Sequence, residues 1–354
     1  MSNPLHVIRC YLRRPPCSGG MEKHIAALSR EQRALGVRVT DVTNEGDVGE
    51  ESVRVFEGRR LGGIRPASLR DFVFYLGACW RLRHLRRESG PRILHVHGDW
   101  SAFLFGRLLG LTIGADVVVA TLHASTRRPA LARLVLGDQS LIFSTGKADC
   151  DRLRGVTHLP SAPEDLFFAE PAAARACDVV LVGSLVPVKN YDLLLEVAER
   201  LPDVRFAVIG DGPDAARLEE ASRSRGLSHI DWRGAASPAQ VRDSLAAAKV
   251  LLNLSYEEGS PTAALEAMAV GTPVVLTPSN DYSSLVGDNE AGIALEDWRS
   301  DTIVTAIEAL LENEERRAAM SIHAKRRAAG ERWNVKAKIV TDAMVAALAR
   351  DDRA

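Results

Sequence analysis

Ser255-Tyr-Glu-Glu-Gly-Ser-Pro-Thr-Ala-Ala-Leu-Glu-Ala-Met-Ala-Val-Gly-Thr-Pro-Val274 begins where an apolar run, Val250-Leu-Leu-Asn-Leu254, turns polar and glycine-bearing. The run has the length and composition of a buried strand, and the stretch after it carries helical periodicity with a proline near its start. Ser260 reads as an N-cap and Pro261 as the first helical residue, so a strand feeds a loop and then a helix N-terminus. Free backbone N–H groups and the positive end of the helix dipole make such a start suited to an anion. Glu258 stands on the loop and Glu266 inside the helix, so two carboxylates flank a place prepared for phosphate and are suited to accept hydrogen bonds from sugar hydroxyls.

The remaining chain supplies the elements such a unit needs. Leu5 to Cys10, Val37 to Val42, Ile93 to His97, Val117 to His123, Asp178 to Gly183, Val204 to Gly210, Ile230 to Gly234 and Val274 to Leu276 read as short strands. Most of the intervals between them carry helical patterns, the alternation expected of an α/β protein with parallel sheets. With 354 residues, 46% of them hydrophobic, the chain suits two domains rather than one. The Pro- and Ala-rich segment from about Leu159 to Ala176 reads as the linker.

Composition excludes several classes. No apolar run reaches the ~18 residues of a membrane-spanning helix, and the first residues lack a basic leader pattern, so a cytoplasmic protein is expected. Cys10, Cys17, Cys79, Cys150 and Cys177 are odd in number and scattered, which indicates neither a disulfide framework nor a zinc site. The net charge of −1 conceals an asymmetry: residues 1–160 carry 24 Lys and Arg against 15 Asp and Glu, and residues 161–354 carry 21 against 31. The basic half suits an anionic acceptor or an anionic membrane surface, and no nucleic-acid recognition motif accompanies it. A helical pattern from about Ser68 to Arg87 joins Phe72, Tyr75, Trp80 and other apolar residues to an arginine-rich end. It is the candidate for peripheral membrane contact, at the inner membrane face.

Three further patterns need weighing. His95 and His97 share a strand face, but without an evident third ligand they read as a packed strand end. Asp149-Cys-Asp151 has the form of a metal-holding Asp-x-Asp pair, yet it falls in a helical pattern, where residues two apart diverge by about 200°. Gly210-x-Gly212-x-x-Ala215 after a strand, with Asp231 about twenty positions on, matches a dinucleotide fingerprint apart from Pro213 in the turn.

The stretch from Glu258 to Val275, Glu-x7-Glu followed by Ala-Met-Ala-x-Gly-Thr-Pro-Val-Val, resembles the donor-binding motif of the retaining glycosyltransferases called group 1, or family 4, of the GT-B fold. The resemblance implies two doubly wound, Rossmann-like domains facing each other across a cleft. It places an acceptor-binding domain at residues 1–165, a donor-binding domain at 166–334, and a terminal helix, about 335–354, back on the first. It implies a hexosyltransferase that takes a UDP- or GDP-sugar without cofactor or metal. The acceptor would be a cell-surface glycan, a lipid-linked sugar or a small metabolite.

By the same resemblance Glu258 meets the donor sugar, Glu266 the ribose and Lys189 the diphosphate, with Gly183, Gly259, Ser260, Pro261 and Thr262 lining the donor site. Gly19 and Gly20 correspond to the family's glycine loop near the diphosphate and acceptor. His123, delivered to the C-terminal edge of its strand, stands at the family's histidine near the donor. Catalytic roles thus fall to His123, Glu258 and Lys189. The chain departs from the family at Ser184, where an arginine is usual, at Ser161-Ala-Pro-Glu-Asp165, and at Asn280-Asp-Tyr-Ser-Ser284 in place of a Gly-Gly pair. Two alternatives stay open: a sugar-nucleotide-binding protein without turnover, for which Ser184 and Asn280-Asp281 are the evidence, and a sugar-nucleotide epimerase on the same fold.

Overall fold

The computed structural model describes residues 5–13, 20–46, 51–58, 60–123, 134–135, 141–169, 177–258, 260–279, 283–287 and 290–351. The chain divides into two compact units, residues 1–161 with 333–354 and residues 162–332. The division falls at Ser161/Ala162, where the sequence reading put it at 165/166.

The first unit holds a seven-stranded sheet. In chain order its strands are β1 (His6–Cys10), β2 (Arg38–Thr43), β3 (Ser52–Arg54), β4 (Arg92–Gly98), β5 (Val117–Leu122), β6 (Leu141–Ser144) and β7 (Val156–His158). They lie side by side as β3-β2-β1-β4-β5-β6-β7, each pair parallel. The chain therefore builds outward from β1 in one direction, then returns to β4 and builds in the other. Ile8, Val39, Leu94, Val96 and Val119 are fully buried, as strands covered by helices on both faces require.

The helices Gly20–Ala34, Ala67–Leu82, Trp100–Ile113 and Trp333–Asp351 belong to this unit. The last packs along the first, where Gln32 Nε2 donates to Thr341 Oγ1 at 2.9 Å and Trp333, Ala337, Val340 and Met344 are buried. The helix expected to run to Arg87 ends at Leu82 and tightens into a 3-10 turn, Arg83–Arg87, which buries Leu85.

The second unit repeats the plan with six strands: β8 (Cys177–Val182), β9 (Phe206–Ile209), β10 (Ile230–Trp232), β11 (Ala248–Asn253), β12 (Val274–Leu276) and β13 (Gly292–Ala294). Their order is β10-β9-β8-β11-β12-β13, again all parallel. Here the reversal falls between β8 and β11. In open α/β sheets ligands bind outside the C-terminal strand ends at such a reversal, because the two adjoining loops leave in opposite directions and open a crevice. Each unit has one such point, β1/β4 in the first and β8/β11 in the second.

Among the described residues no helix is long and apolar enough to cross a membrane. Cys10, Cys79, Cys150 and Cys177 are free thiols, and Cys17 lies outside the described residues.

Candidate functional site

The reversal point of the second sheet gathers the residues that the sequence singles out there. After β8 the chain passes Gly183, turns through the 3-10 segment Pro187–Lys189, and enters the helix Tyr191–Arg200. Asn190, at φ +57°, makes the left-handed turn between them, a conformation that asparagine tolerates better than most residues. Tyr191 then sends its hydroxyl back to the Gly183 carbonyl at 3.3 Å. A Cβ on Gly183 would stand 3.3 Å from that hydroxyl, so glycine keeps this loop tight.

After β11 comes the loop that carries Glu258. Its Oε1 accepts from Lys189 Nζ, from Ser255 Oγ at 2.7 Å and from Asn253 Nδ2 at 3.2 Å. Glu258 is buried, and a buried carboxylate without donors would be costly, so this cluster of donors is what permits it. Ser255 is itself fixed, its carbonyl accepting from Thr277 Oγ1 at 3.0 Å and Trp298 Nε1 at 3.3 Å. Tyr256 N donates to the Val188 carbonyl at 2.9 Å, which ties the β11 loop to the β8 loop beside Lys189.

The helix after this loop is Thr262–Val270, one residue later than the sequence suggests. Pro261 is its N-cap, with no side-chain hydrogen bond to the first turn. Ser260 therefore does not cap it; its carbonyl instead accepts from Thr262 N at 2.9 Å. The N-cap residue thus gives no side-chain hydrogen bond to the first turn, and the positive end of the helix dipole there suits an anion. Glu266 lies half-buried one turn inside the helix. Gly259 is outside the described residues.

The dinucleotide fingerprint has another explanation here. Gly183 N donates to the Ile209 carbonyl at 3.0 Å and Leu185 N to the Asp211 carbonyl at 3.0 Å. A Cβ on Gly210 would fall 1.8 Å from the Gly183 carbonyl oxygen, and one on Gly212 would fall 2.3 Å from that of Leu185. These glycines bring two loop backbones together, which by itself accounts for the glycine at both positions.

In the first unit β5 delivers His123 into a group of four histidines. His97, from the end of β4, puts Nδ1 2.9 Å from His123 Nε2, so one ring donates and the other accepts. His24, on the first turns of the helix Gly20–Ala34, meets His123 edge-on at 5.0 Å between ring centres and Trp333 at 4.7 Å. His95 lies against His97 with ring centres 4.2 Å apart and planes tilted by 34°, and its Nε2 lies 2.8 Å from Thr121 Oγ1. Behind His95 the fully buried Arg9 donates to His95 Nδ1 at 3.4 Å, to Ser29 Oγ at 2.6 Å and to Gln32.

Burial lowers the basicity of all four imidazoles, His123 to about 3, and the neighbouring Arg9 adds to the effect at His95. Arg9 is itself lowered by burial, to about 10, and stays charged at neutral pH. The four rings are then neutral hydrogen-bonding groups at physiological pH. Gly20 opens the helix that carries His24, with open space where a Cβ would stand. Gly19 lies outside the described residues.

The structure thus joins Gly183, Lys189 and Glu258 in one unit, and His123 with His97 and His24 in the other. Sequence reasoning passed over His24, Asn253, Ser255 and Trp298. A polar Asn253 inside an otherwise apolar strand was the available signal for that loop, and His24 lay one turn beyond the glycine pair. Asp149 and Asp151 do not converge: Asp149 is fully buried and accepts from Ser144 Oγ at 3.0 Å, while Asp151 is exposed. Among the described residues no group of three or more His, Cys, Asp or Glu side chains is placed to hold a metal ion.

Comparison with known proteins gives two family matches in tandem, "Glycosyltransferase Family 4" over residues 18–184 and "Glycosyl transferases group 1" over residues 164–327. A phosphatidylinositol N-acetylglucosaminyltransferase chain of Arabidopsis thaliana is 29% identical over 330 residues, covering 83% of this chain and 71% of the relative. Sucrose-phosphate synthase from Thermosynechococcus elongatus superposes with a TM-score of 0.79 at 17% identity, over 98% of this chain and 99% of that one. Anabaena HepE in complex with UDP and glucose gives 0.74 at 16%, over 96% and 99%. With its two parallel Rossmann-like sheets, the chain has the GT-B fold.

Proposed function

The chain belongs to glycosyltransferase group 1, and on that premise we propose that it is a retaining, metal-independent hexosyltransferase. It takes a hexose-type sugar from a UDP- or GDP-sugar and transfers it to a hydroxyl of a glycan, a lipid-linked sugar or a small metabolite. The second unit binds the donor and the first the acceptor. The observation that carries this is the Lys189–Glu258 pair at the β8/β11 reversal, directly before the helix start at Thr262. HepE, of the same fold, is described with UDP and glucose.

The chemistry follows from charge. The bond between the anomeric carbon and the diphosphate oxygen breaks, negative charge grows on the diphosphate, and the sugar becomes oxocarbenium-like. Lys189 and the helix start offer fixed positive charge to that developing anion, which stabilises the transition state more than the ground state. The acceptor oxygen bonds to the anomeric carbon on the face the diphosphate leaves, and its proton goes to the departing phosphate oxygen. Glu258 orients the sugar hydroxyls and Glu266 the ribose. His123, neutral at working pH, hydrogen-bonds the donor sugar.

The reading includes peripheral contact with a membrane from the cytoplasmic side. Leu69, Phe72, Leu76 and Trp80 are exposed on the helix Ala67–Leu82 within ~80° of one another, at ~100° per residue. Leu104, Leu108 and Leu111 are exposed on the adjoining helix Trp100–Ile113, and Phe72 meets Phe105 across the pair at 5.3 Å. Trp80 is 64% exposed and Leu111 74%. Arg83, stacked over Trp80 at 5.0 Å, and Arg86 and Arg87 lie at the same end. An apolar stripe with arginines at its edge suits an anionic bilayer, and the Arabidopsis relative is named for transfer to phosphatidylinositol.

The test is release of UDP or GDP from a panel of nucleotide hexoses, with and without candidate acceptors, and the anomeric configuration of any product by NMR. Nucleotide release with retention is expected. Binding without release would favour a sugar-nucleotide-binding protein, a new nucleotide sugar formed without acceptor would favour an epimerase, and an inverted product would remove the retaining assignment.

A further inference from the structure

His97 and His123 meet through one hydrogen bond, and its direction fixes what His123 can offer a substrate. His97 Nδ1 and His123 Nε2 are 2.9 Å apart. The ring centres are 5.2 Å apart with planes inclined by 29°, as they are when both nitrogens lie close to the line between the centres. The bond therefore runs within both ring planes, where a ring N–H and a ring lone pair point. Both rings are neutral near pH 7, because burial disfavours charge on them. Each then carries one proton, and only one of the two protons can sit in the shared bond.

The other nitrogen of His97 decides which. Its Nε2 is closed off from solvent and has no hydrogen-bond partner among the described residues. If His123 donated, His97 would have to keep its own proton on Nε2, as a buried N–H with nothing to accept it. If His97 donates, Nε2 is a bare lone pair. Orphaned buried donors are rarer in proteins than under-satisfied acceptors, and a bare ring nitrogen can rest against C–H groups as an N–H cannot. The neighbouring ring is fixed in a comparable way. A guanidinium only donates, so the Arg9 contact at 3.4 Å leaves His95 Nδ1 bare and puts the His95 proton on Nε2, 2.8 Å from Thr121 Oγ1.

We propose that His97 is a positioning residue, which donates its Nδ1–H to His123 Nε2 and so holds His123 with its proton on Nδ1. His123 is half-buried and makes its hydrogen bond among the described residues through Nε2, so Nδ1 is the nitrogen left for a ligand. Free imidazole side chains favour the opposite tautomer, with the proton on Nε2. Without His97, therefore, His123 would turn a lone pair to the ligand where it now turns an N–H.

The ligand atom that meets His123 is then an acceptor: a sugar hydroxyl or ring oxygen, or an oxygen on which negative charge grows. With its bare nitrogen already engaged by His97, His123 has no lone pair with which to take the acceptor's proton, in keeping with a proton that leaves on the departing phosphate. That the ligand is a donor sugar rests on the transferase reading above; the tautomer rests on the geometry of the first unit alone.

The experiment is a long-range proton–nitrogen correlation spectrum of the ligand-free chain at neutral pH, with nitrogen-15 in its histidines and each ring assigned by single substitution. Bare and protonated ring nitrogens resonate far apart, and His95, whose tautomer Arg9 dictates, is the internal reference. Wild type is expected to show both His97 and His123 protonated on Nδ1 and bare on Nε2. In His97→Phe the His123 proton moves to Nε2, and kcat with a nucleotide hexose falls about 3- to 10-fold, the worth of one neutral hydrogen bond. A packing role alone would lower turnover without moving the proton. Wild-type His123 protonated on Nε2 overturns the proposal, as does a His97→Phe protein whose His123 keeps its proton on Nδ1 or whose turnover is unchanged. If His97→Phe does not fold, the wild-type spectrum still decides the direction of the bond. The expected signals in a protein that releases no UDP or GDP from any nucleotide hexose remove the transferase reading and leave the His97–His123 assignment standing.

Discussion

Lys189 Nζ donates to Oε1 of Glu258, sixty-nine positions on, and this contact joins the loop after β8 to the loop after β11. The two residues lie in separate sequence motifs, yet they act as one unit. Ser255 and Asn253 share the same carboxylate oxygen, so the ammonium is aimed by a group that is itself held. A lysine on a flexible stem loses side-chain entropy when it meets a diphosphate. One already oriented has less to lose.

Lys189→Ala is expected to lower kcat more than 10-fold with any nucleotide-sugar donor, because a charge contact to a developing anion is worth about 2 to 4 kcal/mol. Lys189 is the one Lys or Arg between Gly183 and Asn190 and so the cation of this loop. Steady-state kinetics on the purified variant checks this, and wild-type turnover would mean that another cation meets the diphosphate.

Glu258 and Glu266 separate by assay. Glu266→Ala is expected to weaken the affinity for free UDP or GDP by about tenfold, as loss of a charged hydrogen bond to ribose does. Glu258→Ala is expected to lower turnover while leaving that affinity nearly unchanged. Calorimetry with the free nucleotide decides; equal affinity in wild type and Glu266→Ala removes the ribose assignment.

Activity is expected to persist in excess EDTA, since the proposed chemistry draws its positive charge from Lys189 and a helix start. Loss of activity that manganese restores would return attention to metal-assisted transfer and to Asp149.

Five histidines, the group of four and His6 at the start of β1, have a signature in stability. His6 is lowered to about 4 and His123 to about 3, with His24, His95 and His97 also well below their ordinary value, each chiefly through burial. Below pH 6.5 the unfolded chain takes up protons that the folded chain refuses, so stability falls as pH falls from about 6.5 toward 4. Each such histidine contributes up to about 1.4 kcal/mol per pH unit. Urea unfolding at pH 6.5 and pH 5 should show a lower midpoint at pH 5, and an unchanged or higher one would contradict the assigned burial.

Much of this was legible because it is local. The run Val250 to Leu254, the polar turn after it and the helical pattern beyond fix a strand-loop-helix unit from composition and period, and the alternation repeats through both units. What was not legible depends on residues far apart in sequence. Nothing near His97 announces that Nδ1 will meet His123, which follows the neighbouring strand β5 in the parallel register that pairs His97 with Thr121. Gly210 and Gly212 match a dinucleotide fingerprint only weakly, with Pro213 in the turn, and a glycine forced by the approach of another backbone looks the same in sequence as one forced by a ligand. Ser260 was misread as a cap because Pro261 takes that place and the helix starts at Thr262. A shift of one residue at a helix end lies below what pattern can resolve.

The central claim is that the second unit is built for a nucleotide sugar, and thermal denaturation with a panel of nucleotides tests it most directly. A ligand at 100 times its Kd adds about 2.7 kcal/mol to the folded state, which for a unit of this size raises Tm by roughly 5 to 10 °C. The account predicts such a rise with a UDP- or GDP-hexose, a much smaller one in Lys189→Ala, and none with NAD. Stabilisation by NAD with no response to any nucleotide sugar would contradict it.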